Sequence, residues 1–366
     1  MSKRLRGVFA AVATASTADR EVDYARSIAL ARHLLSNGCD GLNVLGTTGE
    51  ATSFSLEQRR QLMTAYADAG VPLARCMVGT GAAAVGDAIA LTRHAADVGF
   101  GGALVLPPFY YKGVPDDGLV AYVDAIVSAT PAKAIPLYLY HFPQQSGVPW
   151  HPKLVRRLIQ TFGHRLSGLK DSSGDMAYAR EVAAISPDFD VFPSTEAVLL
   201  DARDGAFAGC ISATANLNAD LCGRAWRDGD KTAYETAVTI RKLFDGKALV
   251  PGIKTVLAHI HKDVEWKRLM PPFAPFPDSD GKEVVTAYDR VRGVHCEPNC
   301  LTVRHDTEDA SQSLYPKPWP SRGRLEASQI IETAAHRYSV QRGDGAEGRG
   351  RPVRFGLLRR RSRAVE

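Results

Sequence analysis

Four reactive side chains follow short apolar segments at intervals that suit the repeating unit of a parallel barrel. Lys170 ends the segment Leu-Ser-Gly-Leu-Lys, and Tyr140 ends Ile-Pro-Leu-Tyr-Leu-Tyr thirty residues earlier. Tyr110 follows Ala-Leu-Val-Leu-Pro-Pro-Phe, and Thr47 lies in Leu-Asn-Val-Leu-Gly-Thr-Thr-Gly-Glu. One βα unit takes about 30 residues, and a (β/α)8 barrel builds its active site at the carboxyl ends of its strands. The spacing therefore predicts that these four side chains meet at one end of such a barrel.

A lysine among hydroxyl groups suits Schiff-base chemistry on a carbonyl substrate. An amine attacks a ketone only when it is unprotonated, and burial favours that form. Tyr140 and Tyr110, with Tyr111 as the rival to Tyr110, are able to relay protons through a hydrogen-bonded chain. Taken singly, Lys170 is also consistent with a solvated strand-end lysine, and each tyrosine with a residue packed between a helix and a strand.

The segment Gly-Thr-Thr-Gly-Glu at residues 46–50 is a glycine-flanked turn between a strand and a helix. Its backbone N–H groups and the hydroxyls of Thr47 and Thr48 are suited to holding a carboxylate. The alternative is a tight βα turn with an N-cap threonine. We expect Glu50 to be structural rather than a general base.

Short apolar segments alternate with amphipathic ones along residues 1–215, which is typical of βαβ units. Strands are predicted at residues 8–13, 41–45, 75–79, 103–106, 135–140, 166–170, 190–192 and 209–212. Helices are predicted at residues 22–36, 56–69, 85–98, 119–128, 152–161, 177–185 and 197–204. Eight strands with intervening helices favour an α/β fold, a (β/α)8 TIM barrel over residues 1–215, with a doubly wound open sheet as the alternative.

A C-terminal helical extension is predicted over residues 216–293, with helices at 221–227, 231–244 and 253–261. Residues 294–366 show little periodicity and are rich in arginine and glycine, apart from one possible helix at 325–338. This composition predicts a disordered or aberrant tail, such as translation past a lost stop codon. Cys296 and Cys300, with nearby histidines, are too loosely spaced to favour zinc, so no metal site is predicted.

Composition narrows the class of partner. The net charge of the 366 residues is +5, but four of those charges lie in residues 294–366, so the body has no basic surface for nucleic acid. No apolar run approaches the ~20 residues of a membrane span. Residues 8–13 are interpreted as the first strand rather than as a weak signal peptide. The body cysteines lie mostly in apolar surroundings, as expected of thiols in a reducing cytoplasm.

Five segments carry a resemblance to a known family. They are residues 46–50 (Gly-Thr-Thr-Gly-Glu), 108–112 (Pro-Phe-Tyr-Tyr-Lys), 139–143 (Leu-Tyr-His-Phe-Pro), 168–172 (Gly-Leu-Lys-Asp-Ser) and 209–216 (Gly-Cys-Ile-Ser-Ala-Thr-Ala-Asn). Together they resemble the dihydrodipicolinate synthase / N-acetylneuraminate lyase family, whose members form a lysine imine with pyruvate-type substrates. The resemblance covers roughly residues 5–292.

The resemblance implies a role for each matching residue. Lys170 would form the imine, Tyr140 would be the general acid and base, and Thr47 and Tyr110 would complete the proton relay. The carboxylate of the 2-keto acid would be bound at Thr48 and Gly49, and Ile211 would line the pocket. The family also implies a homotetramer with no metal or organic cofactor, acting on a 2-keto acid and an aldehyde.

One departure bears on the aldehyde. Dihydrodipicolinate synthases carry an arginine shortly after the relay tyrosine, where this chain has Gln144 and Gln145. An amide cannot make the bidentate charged contact that an arginine makes with a carboxylate, so Gln145 is expected to contact a different partner. A dihydrodipicolinate-synthase-like condensation ranks first, a 2-keto-3-deoxy-sugar-acid aldolase or dehydratase close behind, and N-acetylneuraminate cleavage third. The segment after Glu50 lacks a histidine expected for lysine feedback.

Two rivals come from other functional classes. A metal-dependent barrel enzyme would need Asp, Glu and His side chains converging from several strand ends, and only His141, Asp171 and Glu50 lie near them. A non-catalytic barrel is disfavoured because it would not need to keep the lysine, both tyrosines and the threonine.

Overall fold

Eight parallel strands surrounded by helices form the part of the chain that the structure, a computed structural model, describes: residues 4–130 and 135–293. The strands are β1 (Gly7–Ala11), β2 (Gly41–Val44), β3 (Cys76–Gly79), β4 (Gly102–Val105), β5 (Leu137–His141), β6 (Leu166–Asp171), β7 (Asp190–Pro193) and β8 (Gly209–Ser212). All eight predicted strands are present, and each boundary agrees to within two residues.

Twelve α-helices occupy the same described residues. They are α1 (Tyr24–Ser36), α2 (Leu56–Asp68), α3 (Val85–Val98), α4 (Asp116–Ser128), α5 (Pro143–Ser146), α6 (Pro152–Phe162), α7 (Met176–Ala183), α8 (Leu199–Arg203), α9 (Ala215–Asp228), α10 (Lys231–Lys242), α11 (Leu249–Ile260) and α12 (Asp278–Arg292). Single 3₁₀ turns occupy Ala51–Ser53, Leu73–Arg75, Gly163–Arg165, Glu196–Val198 and Val264–Lys267.

The strands close into a barrel. Each strand from β1 to β6 pairs in parallel with the next, and β8 pairs in parallel with β1. Between β7 and β8 the backbone N–H of Ala208 donates to the carbonyl of Val191 over 2.9 Å. This bond bridges the two ends of the ladder, so the (β/α)8 TIM barrel is confirmed and the open sheet is excluded. Residues 7–11 are part of that ladder, as expected for a first strand.

The barrel interior is filled by apolar side chains from most of its strands. This interior cluster consists of Leu5, Phe9, Ala11, Met77, Leu104, Tyr138, Tyr140, Phe192, Ala208 and Ile211. Phe192 makes edge contacts with Phe9 and Tyr138, at ring-centroid distances of 5.6 Å and 6.2 Å. Because burying one large apolar side chain contributes about 1.5–3 kcal/mol, the cluster is a major source of stability directly beneath the strand ends.

The C-terminal extension contains more helix than the sequence predicted. Helix α12 was not predicted, because four prolines and the sequence Asp-Ser-Asp-Gly precede its apolar positions and only Gly281, Val284 and Tyr288 are buried. Helix α9 begins at Ala215, six residues before the predicted start, and packs on β1. The predicted boundary at residue 216 falls within this helix.

Residues 294–366, with the predicted tail, its helix and its loosely spaced cysteines, lie outside the described residues. Among the helices that are described, none combines the length and apolar character needed to cross a bilayer.

Candidate active site

Lys170 is nearly enclosed at the carboxyl end of β6, with 3% of its surface exposed. Its register partner on β5 is Tyr140, and its Nζ lies 4.5 Å from the centroid of that ring. The amine also lies 3.5 Å from Oδ1 of Asn43 on β2. Lys170 takes part in none of the ion pairs found within residues 4–130 and 135–293. Its neighbours within these residues are therefore an aromatic ring and a neutral amide rather than a carboxylate.

Three hydroxyl groups converge beside this amine and are called the hydroxyl cluster: Thr47, Tyr140 and Ser172. The phenol oxygen of Tyr140 lies 3.1 Å from Oγ1 of Thr47, and either atom is able to donate. Ser172 donates to the same phenol oxygen over 3.5 Å. A proton on Tyr140 thus has two adjacent hydroxyls through which it can move.

The loop at residues 46–50 is held in a conformation that its residue types do not favour. Leu45, just before the loop, and Glu50, its last residue, both have positive φ, 52° and 54°. For a residue with a side chain, this left-handed region costs about 1–2 kcal/mol. A Cβ on Gly49 would lie 3.0 Å from the carbonyl oxygen of Val12, directly after β1, so a larger residue would push these two segments apart by a few tenths of an ångström. Contacts from elsewhere must hold the loop, and with it Thr47 and the buried Thr48.

Glu50 supplies the strongest of those contacts. Its carboxylate is ion-paired with Lys254 of α11, and the exposed fractions of the two side chains are 0% and 1%. The other carboxylate oxygen accepts the backbone N–H of Met270 at 2.7 Å, and Lys254 donates to the carbonyl of Arg268 at 2.8 Å. Burial lowers the pKa of Lys254, and the Glu50 charge opposes that shift. The C-terminal extension therefore anchors the loop that carries Thr47 and Thr48.

Tyr110 lies outside the hydroxyl cluster. Its side chain is 76% exposed, and its ring lies 5.2 Å from that of Tyr111, which is 71% exposed. Lys112 ties this segment to the barrel by donating to the carbonyls of Phe109 and, at 2.6 Å, Ser146. Within one chain the tyrosine pair therefore projects into solvent, and the participation of Tyr110 in the relay stays a prediction.

The predicted substrate-binding residues surround the same end of the barrel. Ile211 lies on β8 within the interior cluster, 1% exposed, and Thr48 is 5% exposed beside Gly49. Gln145 lies on α5, exposed, directly after β5. Gln144 donates to the carbonyl of Ser173 at 2.7 Å and so links α5 to the segment that follows Lys170.

His141 supports the site without reaching the hydroxyl cluster. Its Nδ1 accepts the backbone N–H of Trp150 at 3.1 Å, and its ring stacks on Tyr178 with the centroids 4.1 Å apart. Burial lowers its pKa to about 4, and the charge of Asp175 opposes this shift. The imidazole is therefore neutral near pH 7, with its second nitrogen protonated.

No group of three or more His, Cys, Asp or Glu able to hold a metal occurs among the residues described. The four body cysteines are free and buried, and burial raises the pKa of the Cys39 and Cys76 thiols to about 12. These thiols are protonated near pH 7 and poor ligands.

Three residues of the site were not identified from the sequence: Asn43, Ser172 and Lys254. Ser172 follows Lys170 by two positions, and this spacing along an extended segment predicts the same face. Asn43 is a polar residue in the middle of a fully buried strand, which is a recognisable signal. Lys254 has no comparable signal, because its partner is 204 positions away.

Most of the chain is similar to known proteins. The sequence profile described as the dihydrodipicolinate synthetase family matches residues 4–289. A 4-hydroxy-tetrahydrodipicolinate synthase from Thermosynechococcus vestitus is 34% identical over 246 residues, which is 66% of this chain and 81% of that protein.

Two solved structures of proteins from the same family are also similar to this chain. A dihydrodipicolinate synthase from Agrobacterium tumefaciens is 28% identical, with a TM-score of 0.73, covering 78% of this chain and 99% of that one. YagE from E. coli, a member of the dihydrodipicolinic acid synthase family solved with pyruvate, is 25% identical, with a TM-score of 0.73, covering 79% and 99%.

Proposed function

The chain belongs to the dihydrodipicolinate synthetase family, and from that premise we propose that Lys170 forms an imine with pyruvate and couples it to an aldehyde. The protein is a Schiff-base lyase or synthase of the 4-hydroxy-tetrahydrodipicolinate synthase type. The observation that carries the assignment of Lys170 is its burial without a charged partner beside the Tyr140 phenol.

The proposed first half-reaction needs only the groups at this end of the barrel. The lone pair of Lys170 attacks the ketone carbon of pyruvate, and Tyr140 donates a proton to the ketone oxygen. The nitrogen then gives one of its protons back to the Tyr140 phenolate, which leaves a neutral carbinolamine. That hydroxyl leaves as water after a second protonation, and the nitrogen keeps the carbon as an iminium. Thr47 and Ser172 return protons to Tyr140. The carboxylate is held by the hydroxyl of Thr48 and the backbone at Gly49.

In the second half-reaction the iminium loses a methyl proton to the Tyr140 phenolate to give an enamine. The enamine attacks the aldehyde carbon while Tyr140 returns the proton to the aldehyde oxygen, and water then hydrolyses the new iminium to release the product and Lys170. The same steps in reverse cleave the product. Ile211 would line the pocket behind the keto acid, and Gln145, exposed on α5, would face the incoming aldehyde. A 2-keto-3-deoxy-sugar-acid aldolase activity is the second candidate, favoured by the neutral amide of Gln145.

Borohydride trapping tests the proposal directly. The enzyme is incubated with pyruvate and sodium borohydride, and the peptide that contains Lys170 is analysed by mass spectrometry. A pyruvate-derived adduct on Lys170 is expected, and a folded sample without one would overturn the assignment.

A second experiment identifies the aldehyde. Activity with a carboxylate-bearing aldehyde is compared with activity on a neutral hydroxyaldehyde. The synthase-type reaction requires the first, and preference for the second selects the aldolase.

We further propose a homotetramer that works in the cytoplasm. The exposed Tyr110 and Tyr111 support an assembly, because two adjacent aromatic rings in solvent are typical of a surface that another subunit covers. The free cysteines support a reducing compartment. Light scattering of the wild type and of the Tyr110→Ala variant measures the mass, and fractionation of cells measures the compartment.

A further inference from the structure

Asn43 is a polar side chain set into the apolar interior of the barrel. Its register partners on the neighbouring strands are Ala11 and Met77, both members of the interior cluster. Asn43 is 0% exposed, and its Nδ2 has no hydrogen-bond partner in the described structure. A buried donor without a partner costs about 1–3 kcal/mol. An apolar residue would be more stable here, so folding gives no reason for an amide.

The position of the amide oxygen connects this residue to the reaction. Oδ1 lies 3.5 Å from Nζ of Lys170, across the barrel mouth from β6 to β2. The space that it occupies depends on Gly46, since a Cβ there would lie 2.7 Å from Oδ1. The first glycine of the loop at residues 46–50 therefore leaves room for Asn43 beside the amine.

We propose that Asn43 is a catalytic residue of the imine-forming step, which holds the Lys170 amine through Oδ1 and donates from Nδ2 to an oxygen of the bound 2-keto acid. A hydrogen bond from one N–H of Lys170 to Oδ1 fixes the direction of the nitrogen lone pair. An amide does this without a charge, whereas a carboxylate at the same place would hold the amine as ammonium. The amide gains and loses no proton in the reaction.

The substrate supplies the partner that Nδ2 lacks. A 2-keto acid brings a ketone oxygen and two carboxylate oxygens to the space between Lys170 and Thr48, and each accepts hydrogen bonds. The ketone oxygen gains negative charge as the amine attacks, so a fixed donor next to it lowers the barrier. Asn43 has this role only if Lys170 forms the imine of the proposed function.

The decisive experiment measures the rate of borohydride-trapped adduct formation from pyruvate in the full-length enzyme. Asn43→Leu keeps the size of the side chain and removes both polar atoms. It is expected to slow trapping on Lys170 by about 100-fold, the loss typical of one oxyanion donor. Its thermal unfolding temperature should be equal to or above that of the wild type. A purely structural asparagine would show the reverse, with an unchanged rate and a lower unfolding temperature.

Met77→Leu is the matched control, because Met77 is the register partner of Asn43 in the same interior and has no polar N–H or C=O group in its side chain. It should trap pyruvate at the wild-type rate. Asn43→Asp gives a second readout, since its carboxylate favours the ammonium form of the lysine. The pH at which trapping reaches half its maximal rate should rise by at least about one unit.

The outcomes separate this role from the proposed function. If the wild type forms the adduct and Asn43→Leu forms it equally fast, the role of Asn43 is overturned and the imine stands. If Asn43→Leu does not fold, an unshifted pH profile in Asn43→Asp overturns the role. If the wild type itself forms no adduct, both are overturned.

Discussion

The two ends of the loop at residues 46–50 are held by opposite kinds of interaction. At Thr47 the contacts are between neutral hydroxyls, with distances of 3.1 Å and 3.5 Å around the phenol of Tyr140. At Glu50 the contact is a fully buried ion pair with Lys254, supplemented by two backbone hydrogen bonds. The charged pair fixes the loop in place, and the neutral cluster keeps groups that can exchange protons.

The two buried lysines of this part of the molecule, Lys170 and Lys254, differ in their partners in the same way. The charge at Glu50 is neutralised by Lys254, so it does not act as a counter-ion for Lys170. The Lys170 amine has Asn43 and the Tyr140 ring as neighbours instead. Lys254, with a carboxylate partner, holds the loop in place, and Lys170, without one, is the lysine that we propose as the nucleophile.

Exchanging the reactive lysine gives the largest expected effect. Lys170→Met keeps a long apolar chain but removes the nucleophile, and loss of such a group typically costs more than about 10⁴-fold in rate. We expect no borohydride-trapped adduct and no measurable turnover, with unfolding unchanged or at a higher temperature. Lys282→Met, an exposed lysine on α12, is the control and should remain fully active. Trapping on Lys170→Met at another lysine would contradict the assignment.

The hydroxyl cluster is tested by Tyr140→Phe, which removes one oxygen and leaves the ring beside Lys170. General acid and base groups contribute about 10²–10⁴-fold, and a loss of that size is expected in kcat. Tyr122→Phe is a suitable control, because its buried hydroxyl bonds only the backbone of Ala82. An effect confined to KM would show that the Tyr140 phenol binds substrate without moving protons.

The ion pair is tested by removing one charge and then both. Lys254→Met leaves the Glu50 carboxylate buried without a cation, which should lower the free energy of unfolding by about 3–5 kcal/mol. The double variant Glu50→Gln/Lys254→Met should recover most of this loss, since no charge remains buried. Urea unfolding measures both. Equal destabilisation of the single and double variants would show that the charges are not the cause.

The smallest effect concerns His141, next to the cluster. Its pKa is lowered by burial to about 4, whereas in the unfolded chain it is about 6.5. The unfolded chain therefore binds a proton first, and stability from this residue is lost as the pH falls from about 6.5 to 4. The loss is about 3 kcal/mol. His141→Asn, whose amide oxygen can accept from Trp150, should not show this loss. If the free energy of unfolding of the wild type and of His141→Asn changed in parallel with pH, His141 would not be the source of this loss.

The barrel itself was predictable because each strand is a short apolar run that ends at a turn. The reactive set was predictable for the same reason, since Lys170 and Tyr140 end such runs and strand ends meet at one rim. Asn43 and Lys254 were missed because the residues that they contact, Lys170 and Glu50, are distant in sequence and no neighbouring residue indicates the contact. The Lys254–Glu50 pair joins distant parts of the chain, and the unsatisfied Nδ2 of Asn43 is recognised only when its neighbours are known.

The distance in sequence between Glu50 and Lys254 has a consequence for how the protein is made. The two residues are 204 positions apart, and ribosomes add about 5–20 residues per second, so Lys254 is synthesised roughly 10–40 s after Glu50. During that interval the first two βα units are already synthesised, and the carboxylate of Glu50 has no Lys254 to pair with. The nascent chain therefore cannot fix the loop at residues 46–50 in place until α11 has left the ribosome, and a chain cut short before α11 would carry Lys170 but not the ion pair that holds Thr47 in position.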